Sequence, residues 1–171
     1  MRLTKQYAHA LFAAMQGARS VEFYHELIRV ENILKNLPEY VTAVDFQPEK
    51  FSLIRETLEE GFDPLLVNFL EVLAQDGMLS RLDTVIEDFR ILLVEENLLH
   101  DVKVYSAVPL NETSKKHIER LVENRWGTDY LMEYKVNKQI IGGIRLEVNG
   151  AVIDTTFRSR IDQIIREVQN G

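Results

Sequence analysis

The sequence predicts a mainly helical α+β protein, in which an N-terminal six-helix bundle is followed by a small α/β domain with a β-hairpin and a C-terminal helix. Apolar residues recur at helical spacing through residues 1–100. Between residues 97 and 101 the apolar period changes from about 3.6 residues to about 2, the period of a strand. Residues 140–154 then alternate on both sides of Asn149-Gly150, as in a hairpin. We therefore predict two domains, residues 1–100 and residues 101–171.

The first three helices are predicted from their ends. The first spans residues 4–16, and Gly17 can stop it. Ser20 is the expected N-cap of the second helix, which carries apolar residues at helical spacing as far as Leu34. Pro38 opens a short third helix, because a proline in the first turn loses no helical hydrogen bond.

The next three helices have similar signals. Pro48 opens the fourth helix in the same way. Asp63, followed directly by proline, predicts an N-cap for the fifth helix, which ends before Gly77. Ser80 and Asp83 have the spacing of a capping box at the start of the sixth helix, with Asp where Glu is usual.

The C-terminal part alternates between strands and helices. Residues 102–108 and 130–136 each alternate as a strand. Asn111 can cap a helix between these strands, and Gly127 lies past the end of that helix. A last helix carries apolar residues at helical spacing, namely Phe157, Ile161, Ile164, Ile165 and Val168.

The hairpin is the best specified of these elements. Asn149-Gly150 is the pair that a two-residue type I′ turn favours, because both central positions need a positive φ. This turn would place Val148 opposite Ala151. It would also place Arg145 opposite Asp154, as a cross-strand pair of opposite charge.

The composition excludes several classes of function. Without cysteine, the chain can hold no disulfide, thiolate nucleophile or cysteine-ligated metal. A net charge of -7 argues against nucleic-acid binding, which needs clustered Lys and Arg. No apolar run reaches the roughly 18 residues of a membrane span, and the first residues lack the apolar core of a secretory signal.

The charge is unevenly distributed along the chain. Residues 1–100 contain 9 Lys and Arg against 17 Asp and Glu, a net charge of -8, whereas residues 101–171 contain 11 and 10, a net charge of +1. Either two domains with different partners or random variation of the surface explains this difference. An acidic first domain would favour a partner that carries basic residues.

Two helices carry more apolar surface than a bundle requires. On the first helix the apolar residues cover an arc of roughly 200°, whereas a surface helix needs only about 100°. The fifth helix has a similar excess. The residues concerned are Tyr7, Ala8, Ala10, Leu11, Phe12, Ala14 and Met15 in the first helix and Leu65, Leu66, Val67, Phe69, Leu70, Val72, Leu73 and Ala74 in the fifth. Two compatible interpretations are open: both helices are central in the bundle, or they form a groove for a partner's amphipathic helix.

No catalytic motif stands out. Gly142-Gly143 has neither P-loop nor Rossmann spacing, so we interpret it as structural. The histidines lack metal-binding spacing, and they are His9, His25, His100 and His117. We interpret Glu59-Glu60 and Glu95-Glu96 as solvated helix faces, while a carboxylate pair formed by folding stays an alternative. Three arginines of the last helix either face solvent or bind an anion or acidic partner, and these are Arg158, Arg160 and Arg166.

Four blocks of sequence together resemble one family. They are Tyr-Ala-His-Ala-Leu-Phe at residues 7–12, Asn-Phe-Leu-Glu-Val-Leu-Ala-Gln-Asp-Gly-Met-Leu at 68–79, Ser-Ala-Val-Pro-Leu at 106–110, and the hairpin with the segment that follows it to residue 161. In this order and spacing the chain resembles the δ subunit of bacterial F-type ATP synthases, which is related to the mitochondrial oligomycin-sensitivity-conferring protein.

This resemblance implies a mechanical function without catalysis, cofactor or metal. It implies a peripheral-stalk subunit, present once per complex, that resists rotor torque at the cytoplasmic face of the bacterial membrane without inserting into it. Residues 1–100 would bind the N-terminal helix of an α subunit through the first and fifth helices, and residues 101–171 would engage the C-terminal ends of the b subunits. The residues expected in the α-subunit groove are Tyr7, Ala10, Leu11, Ala14, Leu66, Phe69, Leu70 and Leu73.

Two other functions are compatible with the residues alone. The helical domain could be an adaptor in another assembly, with the same groove and a different partner. The C-terminal α/β unit could hold a small-molecule active site, since such folds support many chemistries. A pocket with convergent polar groups would favour the second of these.

Overall fold

The computed structural model describes residues 2–15, 19–140, 143–153, 161, 165 and 166. Over these residues the chain is mainly helical with a four-stranded mixed sheet, which confirms the α+β class. The chain forms two compact units, Met1–Leu98 and Leu99–Gly171. This division lies two residues before the predicted boundary, because His100 already belongs to the first strand.

All the regular secondary structure described in the first unit is helical. Its α-helices among the described residues are α1 (Leu3–Met15), α2 (Ser20–Leu34), α3 (Pro38–Phe46), α4 (Ser52–Glu59), α5 (Pro64–Gln75) and α6 (Leu82–Glu95). Short 3₁₀ turns at Pro48–Phe51 and Leu79–Arg81 precede α4 and α6. Helix α6 packs against both α1 and α2. The fully buried side chains include Leu27, Val30, Leu66, Leu70, Leu73, Val85, Phe89 and Leu93.

Both ends of α5 follow the local signals in the sequence. The Asp63 carboxylate accepts a hydrogen bond of 2.8 Å from the Leu65 N–H, so the predicted N-cap is confirmed. Gly77 follows the helix with a φ of 64°. The Gly77 N–H donates to Ala74 O and the Met78 N–H donates to Leu73 O, which is the Schellman pattern.

Two predicted caps are wrong. Ser20 is the first residue of α2 rather than its N-cap, and its hydroxyl is buried without a hydrogen-bond partner among the described residues. Ser80 lies in a 3₁₀ turn, and the Asp83 carboxylate accepts from Thr84 rather than closing a capping box. Ser20 is buried in the first unit, and the Ser80 N–H that a capping box would use donates instead to Asp45 on α3, neither of which the spacing of residues can report.

A buried carboxylate joins α1 to α6. The side chain of Asp88 on α6 is only 1% exposed. Its two oxygens accept hydrogen bonds from Thr4 Oγ1 at 2.6 Å and from Arg2 Nη2 at 3.0 Å. These bonds hold the N-terminal end of α1 on α6.

The second unit is a β-α-β unit extended by a hairpin. It contains β1 (His100–Ser106), α7 (Glu112–Trp126), β2 (Tyr130–Val136), β3 (Ile144–Val148) and β4 (Ala151–Val152). The sheet order is β2-β1-β3-β4, with β1 parallel to β2 and the other neighbours antiparallel. Helix α7 begins at the predicted cap, where the Asn111 side chain accepts from the Ser114 N–H. The core of this unit contains Val102, Val104, Ile118, Val122, Leu146, Val148 and Ile161.

The hairpin has the predicted turn and register as far as it is described. Asn149 and Gly150 have φ values of 51° and 79°, as a type I′ turn requires. Val148 pairs with Ala151, and the Ile153 N–H donates to Leu146 O. The predicted pairing of Arg145 with Asp154 lies outside the described residues, as do Gly17, Gly142, Arg158, Arg160 and most of the predicted last helix.

Candidate partner-binding surfaces

A hydrogen bond between side chains connects α1 to the end of α5. The Tyr7 hydroxyl donates to the carboxylate of Asp76, which follows the last residue of α5. Burial of the phenol, together with this bond and the charge of Asp76, raises the pKa of Tyr7 to about 12. The phenol therefore stays protonated and can donate this bond throughout the physiological pH range.

The wide apolar arc of α1 is partly buried in the first unit and partly exposed. Ala8, Leu11 and Met15 are buried in the first unit. The outward stripe consists of Leu3, which is 49% exposed, half-buried Tyr7, and exposed Ala10 and Ala14. These four positions follow one another at intervals of 4, 3 and 4 residues and so share one side of the helix.

Helix α5 divides in the same way. Leu66, Leu70 and Leu73 are fully buried. Leu65 and Phe69 are half-buried, and Val72 is 46% exposed. The sequence Leu65, Phe69, Val72 and Asp76 again has intervals of 4, 3 and 4, so this outward stripe ends at the carboxylate that Tyr7 contacts. We call the two stripes together the α1/α5 face: Leu3, Tyr7, Ala10 and Ala14 with Leu65, Phe69 and Val72.

The predicted groove residues fall into two groups. Tyr7, Ala10, Ala14 and Phe69 have surface on the α1/α5 face. The other four are at most 2% exposed and support the face from beneath; they are Leu11, Leu66, Leu70 and Leu73. Leu3, Leu65 and Val72 lie on this face but are not among the predicted groove residues. Their shared spacing with Tyr7 and Phe69 is the signal that could have identified them.

An arginine cluster borders α5 on its polar side. Arg55 on α4 forms ion pairs with Glu71 and with Glu59, the latter at 2.6 Å, and its third nitrogen donates to the Asn68 side chain at 3.2 Å. The Glu71 carboxylate is thus paired within the unit. The cluster fixes α4 against the polar strip of α5, away from the apolar stripe.

The sheet of the second unit has one packed face and one open face. Helix α7 and Ile161 pack with the core side of the sheet. On the other side, Lys103 lies between Glu133 and Glu147 on the neighbouring strands. Tyr105 lies between Lys135 and Arg145, whose guanidinium is 5.4 Å from the phenol ring centre. Lys135 and Arg145 also form ion pairs with Glu133 and Glu147, so each of these three basic side chains lies beside a carboxylate in the described part of the sheet.

The histidines are spread over both units of the described structure. His9 and His25 are exposed on α1 and α2, and His100 and His117 are half-buried in the second unit. Over residues 2–15, 19–140, 143–153, 161, 165 and 166, no three metal-binding side chains come together. The same residues contain no helix long and apolar enough to cross a membrane.

Comparison with known proteins identifies a family. Residues 3–168 match the family model described as ATP synthase delta (OSCP) subunit. The ATP synthase subunit delta of Caldanaerobacter subterraneus subsp. tengcongensis is 28% identical to this chain, over 99% of this chain and 97% of that protein. The ATP synthase subunit delta of Trichodesmium erythraeum is 29% identical, over 95% of this chain and 92% of that protein.

A solved structure has a similar fold. A chain in the cryo-EM structure of the Toxoplasma gondii mitochondrial ATP synthase hexamer matches with a TM-score of 0.58 and 23% identity, over 99% of this chain and 98% of that chain. At this identity the likeness establishes the fold alone, whereas the family model spans nearly the whole sequence. The chain therefore belongs to the ATP synthase delta (OSCP) subunit family, as a non-catalytic peripheral-stalk subunit of F-type ATP synthase.

Proposed function

We propose that the first unit is a six-helix bundle whose α1/α5 face binds the N-terminal helix of an α subunit. The second unit engages the C-terminal ends of the b subunits, so that one copy of the chain links the catalytic head to the membrane-anchored stalk. This link lies at the cytoplasmic face of the bacterial membrane. By holding both partners, it keeps the head from turning with the rotor.

The observation that carries the proposal is the pair of apolar stripes on α1 and α5. Each stripe has intervals of 4, 3 and 4 residues, and the two are joined where Tyr7 contacts Asp76. Exposed Ala10 and Ala14 leave room for another helix to approach closely. Leu3 and Val72, each nearly half exposed, add apolar surface that a partner helix would remove from water. An amphipathic helix is the partner that such a face accommodates.

Charge supports a basic partner. Residues 1–100 have a net charge of -8. A partner helix with Lys or Arg beside its apolar stripe would be attracted to this unit, and salt would screen that attraction. The affinity for the helix should therefore fall as ionic strength rises, and a salt-independent affinity would contradict a basic partner.

The binding test uses a synthetic peptide of the α-subunit N-terminal helix and the full chain in a calorimeter. A charge at Val72 should weaken binding about tenfold or more, because a carboxylate would be buried in an apolar interface. Val72→Glu suits this test because the side chain is already 46% exposed. Leu70 is unsuitable because it is fully buried, and a charge there would disrupt the fold.

A matched control separates a local effect from a general effect of added charge. Leu37, at the turn before α3, is 44% exposed and outside the α1/α5 face. Leu37→Glu adds the same charge to the same unit. It should leave the affinity for the peptide unchanged, apart from the general effect of one added negative charge, which both variants share. If the wild-type chain fails to bind the peptide, or if both variants bind equally well, the α1/α5 face is not the binding surface.

Binding of the b subunits by the second unit is tested separately. A C-terminal fragment of the b subunits should bind the full chain, and Val72→Glu should not affect that binding because Val72 belongs to the first unit. Loss of b binding in Val72→Glu with an intact circular dichroism spectrum would contradict the division of the two partners between the two units.

A further inference from the structure

One large apolar side chain stands out at the end of α3. Phe46, the last residue of α3, is 82% exposed, more than any other large apolar side chain among the described residues. A single exposed apolar residue needs no explanation by itself. The position of Phe46, however, is fixed with respect to α5 by the residue before it.

Asp45 attaches the end of α3 to the turn that follows α5. Its carboxylate accepts hydrogen bonds from the Leu79 N–H at 2.7 Å and from the Ser80 N–H at 3.1 Å. Its carbonyl oxygen lies so close to Gly77 that a β-carbon at Gly77 would be 3.1 Å away. The end of α3 is therefore packed directly against the C-terminal end of α5.

The α1/α5 face reaches the same end of α5. Tyr7 contacts Asp76, the residue before Gly77. Tyr7 is thus bonded to Asp76, and Gly77 follows Asp76 in the chain. Gly77 in turn lies against the carbonyl oxygen of Asp45, the residue before Phe46. Phe46 follows Asp45 directly, at the end of a helix that the Asp45 carboxylate ties to the Leu79 and Ser80 amides just after α5.

We propose that Phe46 extends the α1/α5 face and contacts the end of the same partner helix, an inference that rests on the proposed function. Asp76 and Glu49 are both exposed, and Glu49 follows Phe46 by three residues in a unit whose net charge is -8 over residues 1–100. Lys and Arg each have an apolar stem and a cationic head. The stem can pack on the Phe46 ring, and the cation is attracted to the face of the ring and to the carboxylates. The partner helix is therefore expected to place a Lys or Arg over Phe46.

The first test measures the affinity of the full chain for the synthetic α-subunit N-terminal peptide by calorimetry. Phe46→Ala should weaken binding about tenfold, in the range of an interface residue that becomes buried. Leu37→Ala, at the opposite end of α3 and also substantially exposed, is the matched control and should bind like the wild type. Since both side chains are exposed, circular dichroism should show an intact fold for both variants.

The second test uses the absence of cysteine from the chain. Phe46→Cys and Leu37→Cys each create one site for an environment-sensitive fluorophore. Addition of the peptide should change the emission at position 46 and leave position 37 unchanged.

The outcomes separate the role of Phe46 from peptide binding by the α1/α5 face. If the wild-type chain binds the peptide while Phe46→Ala binds equally well and the dye at position 46 does not respond, the role of Phe46 is refuted and the α1/α5 face stands. If the wild-type chain does not bind the peptide, the proposed function fails and this inference fails with it.

Discussion

Thr4→Val is the most direct test of the buried carboxylate between α1 and α6. Valine keeps the shape of threonine and removes the hydroxyl that donates to Asp88 Oδ2 at 2.6 Å. Thr4 is 3% exposed and the Asp88 side chain 1%, so water cannot replace the lost donor without opening the contact. Asp88 would keep only the bond from Arg2, whose own side chain is 68% exposed.

The expected destabilisation follows from the charge and burial of the acceptor. A hydrogen bond to an ionised group contributes roughly 1.5–3 kcal/mol, so the first unit should lose about 2 kcal/mol of unfolding free energy. For a unit of this size that loss corresponds to roughly 8–16 °C in melting temperature. Thr84→Val is a matched control, because the Thr84 hydroxyl bonds the exposed Asp83 carboxylate and should be worth under about 1 kcal/mol.

Two spectroscopic signals distinguish the units in this assay. Far-UV circular dichroism follows the helices, and six of the seven α-helices in the described residues lie in the first unit. The single tryptophan is Trp126 on α7, so its fluorescence follows the second unit. Thr4→Val should lower the midpoint of the helical signal. Equal melting of Thr4→Val and Thr84→Val would refute the assigned contribution of the Thr4–Asp88 bond.

Three further predictions concern local conformation and charge. Gly77→Ala should destabilise the first unit by about 1–3 kcal/mol in chemical denaturation, since φ is 64° and the new β-carbon would lie 3.1 Å from Asp45 O; wild-type stability would contradict the αL requirement. The Leu65 N–H and the Arg19 guanidinium lower the pKa of the Asp63 carboxyl, against the opposing effect of partial burial. The stability from ionised Asp63 is therefore complete above its ordinary pKa of about 4 and is lost as pH falls through its folded pKa. Melting curves of wild type and Asp63→Asn should differ most near neutral pH and converge in acid; a constant difference would exclude this linkage. Gly150→Ala should lower the stability of the second unit by about 1 kcal/mol because φ is 79° in the type I′ turn; an unchanged tryptophan fluorescence midpoint would argue against it.

Local signals in the sequence predicted the ends of helices and strands where a side chain bonds to nearby backbone, or where the φ preference of a residue decides the turn. Asp63 caps α5 because its carboxylate reaches an N–H two residues away. Asn149-Gly150 forms its turn because both residues tolerate a positive φ. The cap at Ser20 failed because tertiary packing buries that side chain, and the expected box at Ser80 failed because Asp45, 35 residues earlier, satisfies the amides there.

The candidate site was predicted in part for the same reason. The wide apolar arcs of α1 and α5 are a property of the sequence, and they predict that both helices carry more apolar surface than one core requires. Periodicity cannot say which part of such an arc faces its own core. Packing decided that Leu11, Leu66, Leu70 and Leu73 lie inside, and that Leu3 and Val72 remain outside.

The sequence by itself determined the family, the helical and α/β halves, and the helix and turn signals that depend on neighbours within about four residues. Tertiary structure alone decided what depends on residues far apart in the chain: the burial of Asp88 by Thr4 and Arg2, the contact of Tyr7 with Asp76, and the placement of Phe46 through Asp45. The physical reason is that hydrogen bonding and burial act through space, whereas a sequence pattern records only separations along the chain.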